Sequence, residues 1–271
     1  MVFRLLILIL AGFLSVGCVP RDKVDSCRQC HTVHYPERGA CTLCHRGDPR
    51  SLRQAIAHHG LIPGRFAYFT DADDVRVKAG EQLLQNSACR RCHTTGAKGG
   101  RLASNLDRFL AEADPAKVVK AIREPVFFMP DFHFADYQFD LLLNALLANS
   151  SRTTGPVEEI PRSVHFTQKN EKDQDPFSKH CGGCHRLLSQ RFGALGSGVI
   201  GPNLSGLFTS FYPANFSQQM QPWNRDNLLK WLKNPRAVRP LTEMAPVLLT
   251  ENEQEKLIEI FLDPTERPAG L

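Results

Sequence analysis

Four short motifs place two cysteines and a histidine at the same spacing. Each has the form Cys-x-x-Cys-His, and they occupy residues 27–31, 41–45, 89–93 and 181–185. Two thiols on one helical turn can bond to the two vinyl groups of a haem, and the imidazole that follows can bind the iron from the same side. The motifs therefore predict four covalently bound haems c. Their attachment residues are Cys27, Cys30, Cys41, Cys44, Cys89, Cys92, Cys181 and Cys184, and their proximal iron ligands are His31, His45, His93 and His185.

Zinc and disulfides are the alternative uses of these cysteines. The two pairs between residues 27 and 44 could form a zinc ribbon, and cysteines of an exported chain could form disulfides. Neither alternative explains a histidine directly after every pair, in a chain with ten histidines among 271 residues. Four such histidines would arise by chance with odds on the order of one in a million. Haem c is therefore the preferred interpretation.

The N-terminus has the features of an export signal. Arg4 precedes an apolar run over residues 5–16, which is too short to span a bilayer as a helix. Residues 14–18, Leu-Ser-Val-Gly-Cys, resemble a bacterial lipoprotein box, although Ser15 stands where leucine is commoner. We expect cleavage before Cys18 and lipidation of its thiol, which anchors the protein to a membrane. An ordinary secretory signal with a cysteine at its cleavage site is the alternative.

The residue after the proposed lipidation site bears on localisation. Val19 follows Cys18, whereas an aspartate at this position is associated with inner-membrane retention in enteric bacteria. We expect an exported, periplasm-facing lipoprotein, in the outer membrane rather than the inner one.

The net charge argues against a nucleic-acid partner. The formal net charge is +5, but each haem carries two propionates. Four haems add up to eight negative charges, which turns +5 into about −3. The basic residues are therefore expected to offset propionates rather than phosphates.

The uneven spacing of the motifs predicts the domain organisation. The first two lie in a stretch from about residue 25 to 66, too short for an apolar core, so haem must supply the core there. The third and fourth each begin a segment large enough for a single-haem domain, and residues 150–156 are typical of a linker. The predicted parts are a signal peptide, a lipid-anchor linker with dihaem module, and two monohaem domains, at 1–17, 18–67, 68–155 and 156–271.

Helical patterns surround the later motifs. The predicted helices cover residues 75–87, 136–148, 226–233 and 250–262. Val77, Leu83 and Leu84 face inward on the first, while Thr250 and Glu253 form a capping box on the last. Five apolar residues share the buried side of the second helix: Phe139, Leu142, Leu143, Leu146 and Leu147. No strand pattern competes, so the predicted fold class is mainly α.

The two later segments resemble class I monohaem cytochrome c domains. Residues 201–206, Gly-Pro-Asn-Leu-Ser-Gly, match that family's loop under the proximal histidine, and residues 234–246 match its methionine loop. The middle segment is a looser match, through residues 104–106 and 129–132, and lacks the proline of the first loop. The resemblance implies two class I cytochrome c-like helical domains.

The stretch with the first two motifs resembles the compact two-haem units of bacterial multihaem cytochromes. The resemblance lies in His34 and in residues 39–41, 45–47 and 57–62. It implies a small loop-rich dihaem module with a haem-organised core. The whole arrangement is similar to cytochrome lipoproteins of tellurite- and selenite-reduction operons.

Methionines are the candidate sixth ligands of the third and fourth haems. Met244 lies in the methionine loop of the last segment. Met220 is the alternative, because it follows His185 at nearly the same sequence spacing at which Met129 follows His93. Met129 is the only methionine of the middle segment and precedes a proline, with His133 as the alternative. A lone methionine is often core filler, so the loop context is what favours Met129 and Met244.

Histidines must serve the first two haems, because no methionine is nearby. His34, His58 and His59 are the free histidines of that stretch. The resemblance to other dihaem units selects His34 and His58, with His59 close behind, and leaves open which haem each one serves. Exposed surface histidines are the alternative, which is also the expectation for His165 and His180.

Filled sixth positions favour outer-sphere electron transfer, whereas an open position permits substrate binding. The first two haems would each have two histidine ligands, which gives a low-potential pair near the membrane. The other two would each have one histidine and one methionine, which gives higher potentials beyond that pair. We expect an electron carrier rather than an enzyme. It would act between membrane and periplasmic redox partners, such as other cytochromes or a quinol-oxidising complex, in anaerobic respiration or extracellular electron transfer.

Two other functions compete with the carrier. One is a multihaem reductase or peroxidase that acts at one open haem, for which the third haem is the first candidate. The other is a subunit that docks to a membrane quinol-oxidising complex or polymerises. The electron donor and acceptor, the spatial order of the haems and the oligomeric state stay open at this point.

Overall fold

The computed structural model describes residues 25–126, 128–153 and 175–262. They belong to two compact units, one that ends at Leu61 and one that begins at Ile62. Helices dominate both, which confirms the mainly α fold class. No helix among the described residues is long and apolar enough to cross a membrane.

The first unit consists of short helices and turns. Its helices are α1 (Cys27–Cys30), α2 (Cys41–His45) and α3 (Gln54–Ala57), with a 3₁₀ turn at Pro36–Arg38. Ser26 donates from its backbone to Pro49 O at 2.8 Å and from its hydroxyl to Ser51 O at 2.7 Å. Among residues 25–61, only Ser26 is buried. Over these residues, this unit therefore has hydrogen bonds between its turns but no apolar core of its own.

The second unit contains all the other described elements. Its helices are α4 (Val75–Asn86), α5 (Leu106–Glu112), α6 (Pro115–Arg123), α7 (Asp136–Arg152), α8 (Pro176–His180), α9 (Arg225–Lys233), α10 (Pro235–Val238) and α11 (Glu251–Phe261). It also has 3₁₀ turns at Gly64–Thr70 and Cys89–Arg91. Two small antiparallel hairpins were not predicted: β1 (Thr94–Thr95) with β2 (Lys98–Gly99), and β3 (Leu187–Ser189) with β4 (Gly193–Leu195).

The first apolar core of this unit forms around α4 and α7. Val77 and Leu84 of α4 are buried, and Leu83 packs against the same core, as predicted. All five apolar residues predicted on the inner side of α7 are buried as well. A Cβ atom at Gly80 would lie 2.0 Å from Leu141 O. Glycine is therefore what lets the two helices approach this closely.

Helix α7 continues beyond its predicted end and into the predicted linker. Ser150 is buried and donates from its hydroxyl to Asp107 O at 2.5 Å, which ties the last turn of α7 to α5. The linker prediction is therefore wrong for residues 150–152, and residues 154–156 lie outside the described residues. The sequence suggested a linker because the serines are polar, but this tertiary hydrogen bond extends the helix.

The second apolar core joins α8, α9 and α11. Phe177 of α8 packs edge-on against Phe261 of α11, with ring centroids 6.1 Å apart. The predicted capping box of α11 is present, because Glu253 N donates to Thr250 Oγ1 and Thr250 N donates to the Glu253 carboxylate. Glu253 also receives hydrogen bonds from Lys179 and His180, which connects the ends of α8 and α11.

The boundary between the two units differs from the predicted end of the dihaem module at residue 67. Ile62 and Phe66 are almost fully buried, and both belong to the core around α4 and α7. The two monohaem segments lie together in the second unit. Their extents as separate domains stay predictions.

Candidate haem sites

In the first unit, each proximal histidine lies beside a second histidine. The rings of His31 and His58 have centroids 5.9 Å apart, and those of His34 and His45 have centroids 5.7 Å apart. His58 follows α3 directly, and His34 lies between the first motif and the Pro36–Arg38 turn. His59 bonds through its backbone N to Ile56 O at 3.1 Å. The structure therefore brings both predicted distal histidines to a proximal partner.

The third motif follows α4 and forms a 3₁₀ turn. Ala88 has a left-handed backbone, with φ of 52°, which turns the chain from the helix into the motif. Arg90 is buried and bonded to Glu81 of α4 and to Thr95 O of the β1 strand. His93 Nδ1 lies 2.8 Å from Ser104 O. This carbonyl orients the proximal imidazole.

The fourth motif follows α8 and has the same imidazole arrangement. His185 Nδ1 lies 2.8 Å from Pro202 O, and Gly201 N donates to Cys184 O at 2.9 Å. A Cβ atom at Gly201 would lie 2.2 Å from Cε1 of His185. Glycine is therefore required where the loop lies against the ring.

A carbonyl beside Nδ1 determines what the other ring nitrogen can do. The carbonyl only accepts hydrogen bonds, so Nδ1 is the donor, and in the neutral imidazole the lone pair is then on Nε2. Such a partner fixes the ring orientation and raises the basicity of the metal-binding nitrogen. His93 and His185 are both prepared in this way to bind a metal through Nε2.

The two methionines of the last segment differ in their surroundings. Met244 packs against the core around α8, α9 and α11, and Trp231 Nε1 donates to its Sδ at 3.0 Å. Met220 is 70% exposed and has a left-handed backbone, with φ of 55°. Of the two, Met244 has the more buried and apolar environment.

The middle segment offers Met129 and His133. Met129 is half-buried, and its backbone N donates to Val126 O at 2.8 Å. The His133 side chain is 85% exposed and lies 3.2 Å from the Asp131 carboxylate. Met129 is thus the less exposed of the two candidates.

The eight cysteines of the four motifs form no disulfides with one another, so their sulfurs are available for attachment to haem. Burial raises the pKa of Cys89 and of Cys181 to about 11, and it also raises the pKa of Cys92. In the described part of the chain, no three His, Cys, Asp or Glu side chains are arranged to hold a metal ion.

Comparison with known proteins identifies the family. Cytochrome c of Stellaria longipes is 32% identical over 106 residues, which cover 93% of that protein and 35% of this chain. Residues 75–140 also match the family described as cytochrome C oxidase, cbb3-type, subunit III. The chain belongs to the cytochrome c family. Membership implies covalently bound haem c and a function in electron transfer.

The residues of this cytochrome fit the group that the family implies. Metal–imidazole bonds are about 2.0 Å long, so two imidazoles on opposite sides of one iron have ring centres about 6 Å apart. The pairs His31–His58 and His34–His45 are close to this separation. In the second unit, Gly201 and the carbonyls beside His93 and His185 provide the fit.

Sequence reasoning missed several residues around these sites. It did not find the carbonyls of Ser104 and Pro202, although the resemblance had located the loops that carry them. It also missed Trp231 as a donor to Met244 and Arg91 as a contact of the loop below His185. Arg91 occupies a variable position of its motif, so no sequence signal distinguishes it.

Two other predictions concern residues away from the motifs. His180 was expected at the surface, but its side chain is 23% exposed and lies 3.0 Å from the Glu253 carboxylate. Cys18, the predicted lipidation site, and His165 lie outside the described residues.

Proposed function

We propose that this cytochrome is a tetrahaem electron carrier. The observation that carries the proposal is the pairing of both proximal histidines in the first unit with a second histidine, at 5.9 and 5.7 Å. Such pairs would hold a haem iron from both sides, which would leave no position for a substrate. Candidate methionines in the second unit extend the same argument to the other two haems.

The proposed ligand sets follow from these contacts. His31 pairs with His58, and His45 pairs with His34, in the first unit. Met244 is supported by its packing and by the Trp231 hydrogen bond, and Met129 by its partial burial and its loop. The proposed sets are His31/His58, His45/His34, His93/Met129 and His185/Met244.

The chain's own residues hold, orient and tune the cofactor. When bound, haem supplies a one-electron couple between ferric and ferrous iron. The carbonyls of Ser104 and Pro202 keep the proton of each proximal imidazole on Nδ1. Methionine ligation raises the reduction potential relative to a second histidine. We therefore expect a low-potential pair in the first unit and two higher potentials in the second.

The proposal includes a place in the cell. Lipidation at Cys18 would put the low-potential dihaem unit next to the membrane, where a quinol-oxidising complex or another cytochrome can donate electrons. The partner at the other end would be a second redox protein, in anaerobic respiration or extracellular electron transfer. Labelling with a radioactive fatty acid, compared between the wild type and Cys18→Ala, tests the anchor.

Spectroscopy of the oxidised, fully loaded protein tests the ligand sets. Low-temperature EPR and near-infrared magnetic circular dichroism should show four low-spin haems, two with a thioether-to-iron band and two with the bis-histidine band. A potentiometric titration should resolve two groups of potentials. A high-spin signal from one haem, or one narrow group of potentials, would contradict the proposal. The high-spin result would favour a reductase or peroxidase that acts at that haem.

A further inference from the structure

Within the second unit, the third haem motif and the loop of the fourth haem are in direct contact. Arg91, inside the third motif, donates from Nη1 to the backbone O of Asn203 at 3.0 Å. Asn203 follows Pro202, whose carbonyl orients His185. A Cβ atom at Gly206 would lie 2.5 Å from Arg91 O, so the loop also approaches the motif closely at its other end.

The side chain of Asn203 reaches a third element, the methionine loop of the middle segment. Its Nδ2 donates to Phe128 O at 2.9 Å, and Phe128 immediately precedes Met129. Its Oδ1 accepts from Ser205 N at 2.9 Å, which fixes the amide in this orientation. The hydrogen bond to Phe128 joins two loops that are 75 residues apart in the chain.

Tyr212 completes this arrangement. Its hydroxyl donates to Asn203 O at 3.3 Å, and the Arg91 guanidinium lies over its ring, 5.3 Å from the centroid. Asn203 thus uses its carbonyl, its amide nitrogen and its amide oxygen in four hydrogen bonds to Arg91, Tyr212, Phe128 and Ser205. A half-buried polar residue with all these bonds is held in one position.

We propose that Asn203 is a positioning residue for the third haem, supplied by the loop of the fourth. By holding the Phe128 carbonyl, it keeps Met129 in place as the sixth ligand. The last segment therefore helps to position a ligand of the middle segment. This inference rests on the proposed function, because it requires Met129 to be an iron ligand.

Competition by imidazole measures how firmly a methionine loop is held. Imidazole binds ferric haem when the methionine leaves, so a looser loop gives tighter imidazole binding. Asn203→Asp replaces the donor to Phe128 O with an oxygen and keeps an acceptor for Ser205 N. Since a lost hydrogen bond shifts such an equilibrium about five- to tenfold, we expect imidazole to bind one haem about five- to tenfold more tightly.

The matched control is Asn227→Asp. Asn227 makes the same kind of bond, from Nδ2 to Pro222 O at 2.8 Å, and the substitution introduces the same charge in the same segment. Its imidazole affinities should equal those of the wild type. In the double variant Met129→His/Asn203→Asp, the tighter imidazole binding should disappear, because the introduced histidine would take the place of the methionine ligand.

Each outcome separates this inference from the proposed function. Unchanged imidazole affinity in a fully loaded Asn203→Asp protein with two thioether bands would overturn the inference and leave the carrier intact. A wild type with only one thioether band would instead overturn the ligand set. If Asn203→Asp does not load haem, Asn203→Ser decides, because its shorter side chain removes the donor to Phe128 O without adding a charge. Wild-type imidazole affinity in Asn203→Ser would then overturn the inference.

Discussion

At the scale of single residues, the proximal imidazoles of the second unit share one environment built from different loops. The acceptor carbonyl follows the histidine by 11 residues in the third motif and by 17 in the fourth, yet both Nδ1–O distances are 2.8 Å. The common feature is the protonation of Nδ1, which prepares Nε2 as the ligand. In the first unit, the decisive feature is the second histidine that lies beside each proximal one.

A methionine at position 58 tests the distal ligand of the first haem. In His58→Met, the thioether replaces the imidazole that faces His31, and thioethers favour ferrous iron more than imidazole does. One haem should therefore move from the low-potential group to the high-potential group in a potentiometric titration, while the other three keep their potentials. The same change at the neighbouring residue, His59→Met, should leave all four potentials unchanged. A shift in His59→Met instead of His58→Met would reassign the ligand.

Trp231 should raise the potential of the fourth haem. Its indole N–H donates to Met244 Sδ, and a donor on the sulfur reduces the electron density that the sulfur gives to ferric iron. Thioethers are weak acceptors, so Trp231→Phe should lower one potential by about 20–40 mV, from a bond worth up to about 1 kcal/mol. Trp223→Phe is the control, because that indole donates to Asn215 instead. Equal shifts in both variants would show that the hydrogen bond to sulfur has no specific effect.

At the scale of elements, helices α8 and α11 hold the fourth motif in place. The motif begins directly after α8, and α8 is connected to α11 by aromatic packing and by the contacts of Glu253. Hydrogen bonds from Lys179 and His180 lower the pKa of the Glu253 carboxyl. The capping box and the contact between the helices therefore depend on the same side chain.

Glu253→Gln separates these two roles. Glutamine can still form the capping box, but it lacks the charge that attracts Lys179. A carboxyl with a lowered pKa stabilises the fold above its unfolded pKa, about 4.3, and this contribution disappears as the pH falls through the folded value. The urea midpoint of Glu253→Gln should therefore be below that of the wild type at pH 7, and the difference should shrink below about pH 4. Glu255→Gln, at an exposed site of the same helix, should show no such pH-dependent difference.

At the scale of the whole molecule, the sequence predicted the features that depend on local patterns, namely the amphipathic helices and the helix cap. The inner faces of α4 and α7 and the cap of α11 depend on short spacings, and they were predicted correctly. The end of α7 was not, because a tertiary bond from Ser150 extends the helix. The two hairpins were also missed, since strands of two or three residues have too short a pattern to detect.

Contacts between distant parts of the chain could not be predicted. Which histidine faces which motif depends on how the chain folds between residues 31 and 58, and spacing alone does not determine that. The bond from Asn203 to Phe128 O joins two loops whose sequences contain no sign of each other. Local chemistry was therefore readable from sequence, whereas the assembly of the sites required tertiary structure.

The two units should depend on haem to different degrees. Residues 25–61 bury no apolar side chain, whereas the second unit has two apolar cores. When one of its two haems is lost, the first unit has less to oppose the conformational entropy of the chain. The variant Cys27→Ser/Cys30→Ser should therefore be cut by trypsin within residues 25–61 roughly tenfold faster or more, since cleavage follows the population of the open form. The core from Ile62 to Ala148 should stay resistant.

Cys181→Ser/Cys184→Ser is the control, and it should leave the cleavage rate within residues 25–61 unchanged. Mass spectrometry of the fragments measures both. If the segment stays resistant after losing the first haem, that haem is not needed to fold it.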